Sequence, residues 1–188
     1  GLKVPHFPWP DVGISLVSGY LGIAVADTWY LRALHLMGAG RTGIVASLLS
    51  PFVILLSVLF LGESLRGWQL FGFALVMAGI LLVTWRSKRR SVDAEQVRKG
   101  VFYGAGAMFL MAVGIVMVKE ILETRSFVWT TEIRLAGGIG GMLAYTLLRG
   151  RVAEVRSRFA QPLPWKTITF ASFLAAYVSM MMWLAGYK

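Results

Sequence analysis

Residues 42–61 read TGIVASLLSPFVILLSVLFL, and this stretch contains no charged side chain. A helix rises about 1.5 Å per residue, so about 20 such residues cross the roughly 30 Å hydrocarbon layer of a bilayer. Five further apolar runs share this character and lie at 12–36, 68–85, 101–118, 129–148 and 165–187. We therefore predict an all-α fold, a polytopic transmembrane helical bundle.

The composition agrees with a membrane environment. Hydrophobic residues make up 57% of the 188 residues and charged residues 15%, and most of the charge lies between the apolar runs. A net charge of +10 is compatible with nucleic-acid binding. However, basic residues beside membrane helices ordinarily contact anionic headgroups, and no nucleic-acid module is recognisable. The expected partners are the lipid bilayer and a small-molecule substrate, with no nucleic acid.

Lysine and arginine are distributed unevenly between the two sides of the predicted membrane. Counted over alternate connections, one side carries thirteen of them and the other six, and six of the thirteen belong to residues 86–99. Basic residues favour the cytoplasmic side of membrane proteins. The count places the 86–99 linker in the cytoplasm and predicts a multi-pass protein of the plasma or inner membrane.

An internal repeat is visible at an offset of 153 residues, where Tyr30-Leu31-Arg32-Ala33-Leu34 corresponds to Trp183-Leu184-Ala185-Gly186-Tyr187. Four apolar runs lie between the two equivalent helices, so one repeat unit holds five helices. An odd number makes the two copies enter the membrane in opposite senses, as in many secondary transporters. The chain begins at Gly1 and ends just after an apolar run. We therefore expect a fragment of a ten-helix inverted-repeat protein.

Segment 19–85 also resembles a known family. The residues that carry the resemblance are Asp27-Thr28-Trp29-Tyr30-Leu31-Arg32-Ala33-Leu34, Leu48-Leu49-Ser50-Pro51-Phe52, the turn Leu61-Gly62-Glu63, and Ala78-Gly79. Together they resemble the EamA domain, the repeat unit of the drug/metabolite transporter superfamily.

The resemblance implies a domain organisation and a function. Residues 1–85 would be the last three helices of the first EamA repeat, 86–99 a basic linker, and 100–188 the first three helices of the second repeat. The implied function is secondary transport of small metabolites, as an exporter with alternating access around a central cavity. In this family both termini usually lie in the cytoplasm, which would place the 86–99 linker outside and disagrees with the charge count.

Asp27 is the leading candidate for a functional residue because it interrupts an apolar helix. An ionisable side chain inside the membrane is costly and normally faces a cavity or a partner. Asp27 could contact a substrate amine or act as a protonatable coupling group, which would make proton coupling possible. Alternatively, it is a structural acid that pairs with Arg32, one to two turns away.

Other candidates for the substrate cavity are less distinctive. Glu132 and Arg134 open the 129–148 helix, where they would lie at the cavity mouth, or else cap the helix and reach to headgroups. Pro51 interrupts the 42–61 helix and could line a cavity or simply kink it. Tyr177 and Trp183 could line a substrate path by stacking or cation–π contacts. The glycine clusters at 100–104 and 137–141 indicate close helix packing.

The sequence contains no enzyme signature. The chain has no cysteine, and neither of its two histidines, His6 and His35, has metal-ligand spacing. We therefore predict that the protein is not an enzyme and has no cofactor, catalytic residue or metal site. Two alternatives to a transporter are an intramembrane enzyme, which would need a catalytic dyad within the membrane, and a non-transporting membrane scaffold or sensor.

Overall fold

The computed structural model describes residues 8–62, 67–86, 94–159 and 164–174. Within these ranges the chain forms helices and no strand, which confirms the all-α prediction. In chain order the elements are α1 (Trp9–Gly19), a π-helical turn (Tyr20–Val25), α2 (Ala26–Met37), α3 (Ala39–Ala46), α4 (Leu49–Leu61), α5 (Gly67–Arg86), α6 (Ala94–Thr124), α7 (Phe127–Leu148), α8 (Val152–Phe159) and α9 (Trp165–Phe173).

Three helical stretches of the described chain are long and apolar enough to cross a membrane. They are Trp9–Met37 with 29 residues, Ala39–Leu61 with 23 residues and Glu95–Thr124 with 30 residues. They coincide with the predicted runs at 12–36, 42–61 and 101–118. Large apolar side chains such as Phe60 and Trp68 are 76% and 86% exposed, which suits a surface that faces lipid.

The chain divides into two compact units, residues 1–145 and residues 146–188. In the first unit α6 is the central helix, since α1, the π-helical turn, α2, α3 and α4 all pack against it. Two groups of buried side chains form its core. They are Ala33, Met37 and Val45 in one group, and Leu56, Ala112 and Val116 in the other.

Small residues bring α2, α3 and α6 together, as predicted for the first glycine cluster. Gly100 packs on Met37, and a Cβ on Gly104 would lie 3.5 Å from the Cβ of Ala33. Gly38 links α2 to α3 with φ +79° and ψ 166°, a backbone conformation that is essentially restricted to glycine. The short connection therefore returns the chain directly onto α2.

The interruption predicted at Pro51 lies slightly upstream of the proline. Helix α3 ends at Ala46, and α4 begins at Leu49. Between them, the Ser47 and Leu48 amides donate to carbonyls three residues back, at 3.2 and 3.0 Å. Proline has no amide hydrogen and is tolerated in the first turn of a helix. Pro51 occupies that turn of α4 and is buried.

Two segments predicted as connections contain helix. Helix α6 begins at Ala94, so the last six residues of the 86–99 linker are helical, and the Lys99 ammonium pairs with the Glu95 carboxylate one turn away at 2.7 Å. In the second unit, α8 occupies part of the 149–164 connection. Arg151 lies just before α8 and pairs with Glu154 at 3.3 Å.

Candidate functional site

A π-helical turn joins α1 to α2 in the middle of the first membrane-length helix. Gly22 lies in this turn and is buried against α6. A Cβ on Gly114 would come within 3.1 Å of the Gly22 Cα and 3.0 Å of the Ser18 carbonyl oxygen, so the two backbones touch here. A π-turn interrupts the regular hydrogen-bond ladder of a helix and is frequent at functional sites.

Arg134 is brought to the same turn by α7. Gly19 packs directly on the Arg134 backbone carbonyl, and the Arg134 Nη2 lies 3.7 Å from the position of a Cβ on Gly22. The Arg134 Nε is buried and has no hydrogen-bond partner among the described residues. Since Gly22 is near the midpoint of Trp9–Met37, the guanidinium lies about halfway along that helix.

Asp27 lies in the first turn of α2 and is half-buried. It follows Gly22 by five residues, which is ~7.5 Å along a helix axis. The alternative ion pair with Arg32 is not formed in the described structure. The Arg32 guanidinium lies instead over the Tyr103 ring, 4.6 Å from its centre. Asp27 therefore lies just after the π-helical turn, and the ion pair with Arg32 that the sequence suggested is not formed in the described structure.

The remaining candidates take different positions. Glu132 is exposed on α7, two residues before Arg134. Pro51 is buried in α4, and the neighbouring Phe52 ring meets Phe109 of α6 edge-on at a centroid distance of 5.6 Å. Tyr177 and Trp183 lie outside the described residues. Of the predicted residues that lie in the described ranges, the structure thus places only Arg134 against the turn that precedes Asp27.

Sequence reasoning missed two serines of α1. The Ser18 hydroxyl is buried and donates a hydrogen bond to the Gly114 carbonyl at 2.5 Å. The Ser15 hydroxyl is also buried and has no partner in the described part of the chain. The spacing Ser15-x-x-Ser18-Gly19-x-x-Gly22 puts four small residues on adjacent faces of one helix. That pattern is typical of close helix contacts in membranes, and it could have predicted that α1 packs closely against another helix.

This arrangement suits the binding of a charged solute. A guanidinium without a carboxylate partner can donate paired hydrogen bonds to a carboxylate or phosphate. A carboxylate such as Asp27 can accept from an amine or take up a proton. Within ranges 8–62, 67–86, 94–159 and 164–174, no group of three His, Asp or Glu side chains is placed to hold a metal ion.

Comparison with known proteins identifies the first half of the chain. Residues 2–85 match the family described as the EamA-like transporter family. This segment is EamA-like. The match contains α1 to α4 and nearly all of α5, and it confirms the resemblance noted for segment 19–85. The family that this segment matches is one of transporters.

The EamA match ends at residue 85. Searches of curated proteins and of solved structures gave no match. The inverted repeat therefore stays a prediction, and its second member, residues 183–187, lies outside the described residues.

Proposed function

We propose that this EamA-like protein is a secondary transporter that exports a small metabolite by alternating access, with Arg134 and Asp27 facing the solute path. In this proposal residues 1–85 and 100–188 belong to two inverted EamA repeats of a ten-helix protein of the plasma or inner membrane, joined by the basic linker 86–99. Proton coupling through Asp27 is part of the proposal.

The observation that carries the proposal is the position of the Arg134 guanidinium. An arginine at the centre of a membrane helix costs about 2.5–3.5 kcal/mol on insertion scales. Such residues ordinarily face a water-filled cavity or mark a substrate or ion pathway. Arg134 lies against the π-helical turn, halfway along Trp9–Met37, and its Nε has no partner among the described residues. A solute anion is the natural partner for such a group.

Close backbone contacts join the helices around this group. Gly19 packs on the backbone of α7, Gly22 packs on Gly114 of α6, and Gly137 packs on Leu16 of α1. Small residues let the helix backbones approach each other this closely. Arg134 lies on α7, and Asp27 lies on α2. A shift between those helices would change the spacing of the two charges, as alternating access requires.

The test is an export assay with the intact protein expressed in cells. Solutes are measured in the medium and in the cells by mass spectrometry, with and without the protein, and at several external pH values. We expect at least one metabolite to accumulate in the medium. Charged hydrogen bonds contribute about 1.5–3 kcal/mol, so Arg134→Gln should reduce its export on the order of 10- to 100-fold. Asp27→Asn should abolish the pH dependence.

Matched controls separate the site from general damage. Glu120→Gln changes an exposed carboxyl on α6, and it should leave export and its pH dependence at the wild-type level. Export that is unaffected by Arg134→Gln would remove Arg134 from the solute path. If no solute differs between cells with and without the protein, in either direction of flux, the transporter proposal itself is wrong.

A further inference from the structure

A groove lies between α2 and α6, at the end where α2 finishes and α6 begins. Gly100 packs on Met37, so the last turn of α2 and the first turns of α6 lie at the same level. The groove has a volume of about 520 Å³. It is lined by Arg32, Leu36, Arg98, Lys99, Phe102 and Tyr103.

Positive charge dominates this groove, since three of its six lining residues are cations. The Arg32 guanidinium is held over the Tyr103 ring at 4.6 Å, a cation–π contact that orients the group without neutralising it. Lys99 pairs with Glu95, but both side chains are about 60% exposed, and exposed pairs contribute little and exchange partners readily. Arg98 is exposed beside them. In the described part of the chain, the ion pair recorded for these three cations is the one between Lys99 and Glu95.

The groove also has an apolar wall and lies at the end of two membrane-length helices. Phe102 is 67% exposed, and Leu36 lies across from it on α2. Arg32 is five residues from Met37, the last residue of Trp9–Met37, which is ~7.5 Å along the axis. An arginine side chain can extend over that distance to the headgroup level. Cations above an exposed aromatic ring match a lipid phosphate above its acyl chains.

We propose that this groove binds an anionic phospholipid, with its phosphate between Arg32 and Arg98 and its glycerol and first methylenes against Phe102. A free phosphate ion has the same charge but gains nothing from Phe102 and Leu36. The apolar wall and the position at the helix ends therefore favour the lipid. This site is separate from Arg134 and Asp27, and it does not depend on which solute the protein transports.

The test is lipid retention by the purified intact protein, measured by native mass spectrometry with phosphatidylglycerol and with phosphatidylcholine. Each basic residue near a charged membrane surface contributes about fivefold in affinity. We therefore expect Arg32→Gln combined with Arg98→Gln to weaken phosphatidylglycerol binding roughly 25-fold, and Arg98→Gln alone about fivefold. Phosphatidylcholine binding should not change. Arg98 is exposed, so its single substitution tests the site without disturbing packing.

A control pair of substitutions, Arg151→Gln with Arg156→Gln, removes two exposed cations from the second unit and should leave phosphatidylglycerol retention unchanged. Replacing Arg32 and Arg98 by lysine should preserve most of it. Equal retention by the wild type and the glutamine variants would overturn the proposal. The proposal would also be overturned if the control pair lost as much phosphatidylglycerol retention as the Arg32 and Arg98 variants. Displacement of the lipid by millimolar inorganic phosphate would assign the groove to a free anion instead.

Discussion

Alanine substitutions in the glycine cluster of α7 test whether α7 and α1 meet through their backbones. A Cβ on Gly137 would lie 2.9 Å from the Leu16 Cα and 3.0 Å from the Leu16 carbonyl carbon, and closer still to the carbonyl oxygen. A Cβ on Gly140 would meet nothing within 4 Å. Both glycines lie within the same helix. Gly140→Ala is therefore a matched control for Gly137→Ala.

The magnitude follows from the missing space at Gly137. Ordinary van der Waals contact of a Cβ begins at 3.4 Å, so α7 and α1 must separate by about 0.5 Å or more. A gap of that size forfeits roughly a quarter of the dispersion energy of the contacts that it opens. Overpacking of this kind costs about 1–3 kcal/mol. The helix-propensity gain of alanine over glycine, about 1 kcal/mol, is common to both variants and cancels in the comparison.

We therefore expect Gly137→Ala to be less stable than Gly140→Ala by about 1–3 kcal/mol. The assay is unfolding of the purified protein in detergent, followed by circular dichroism during titration with sodium dodecyl sulfate. Gly140→Ala should be at least as stable as the wild type. Equal stability of the two variants, or a more stable Gly137→Ala, would show that the two backbones do not touch at Leu16.

Two further substitutions test single features of the same unit by the same unfolding assay. Ser18→Ala removes the buried hydrogen bond to the carbonyl of α6 and should cost about 0.6 kcal/mol, the mean for such bonds in membranes. The exposed Ser47 hydroxyl is 3.5 Å from its acceptor, so Ser47→Ala should leave stability unchanged. If both serine variants lost the same stability, the hydrogen bond assigned to Ser18 would be contradicted. Gly38→Ala forces a Cβ into a glycine-only conformation and should cost about 1–3 kcal/mol. A Cβ on Gly40 would meet nothing within 4 Å, so the control Gly40→Ala should not destabilise the protein. A Gly38→Ala variant as stable as the wild type would contradict the positive φ at Gly38.

The helices were predictable because crossing a membrane is a local requirement. A run such as 42–61 needs only about 20 apolar residues to be recognised, whatever it packs against. The interruption of the 42–61 helix was predictable to within a few residues, since proline restricts the backbone at its own position; it lies just before Pro51 and not at it. The EamA resemblance of segment 19–85 depended on such local motifs, and the match of residues 2–85 confirms it.

The start of a helix was less predictable where charged residues precede the apolar run. The run of basic residues before Gly100 suggested a linker, but Ala94 already begins α6. Alanine, glutamate and glutamine favour helix, and Glu95 pairs with Lys99 along it. Hydropathy along the sequence detects only the apolar length of a helix that lies within the hydrocarbon layer. It therefore misses the polar turns that extend α6 beyond the hydrocarbon layer.

The site depended on tertiary structure. From the sequence, Arg134 is an ordinary basic residue near the start of a helix, and Asp27 has Arg32 as a plausible partner. Only the packing of α7 against the π-helical turn places the guanidinium at Gly22, and only the tertiary structure shows that Arg32 lies over the Tyr103 ring. The sequence by itself determined that the chain forms membrane helices, because hydrophobic length is a property of each segment. The positions of its charges were decided by which helices touch, because a side chain's surroundings are supplied by residues far away along the chain.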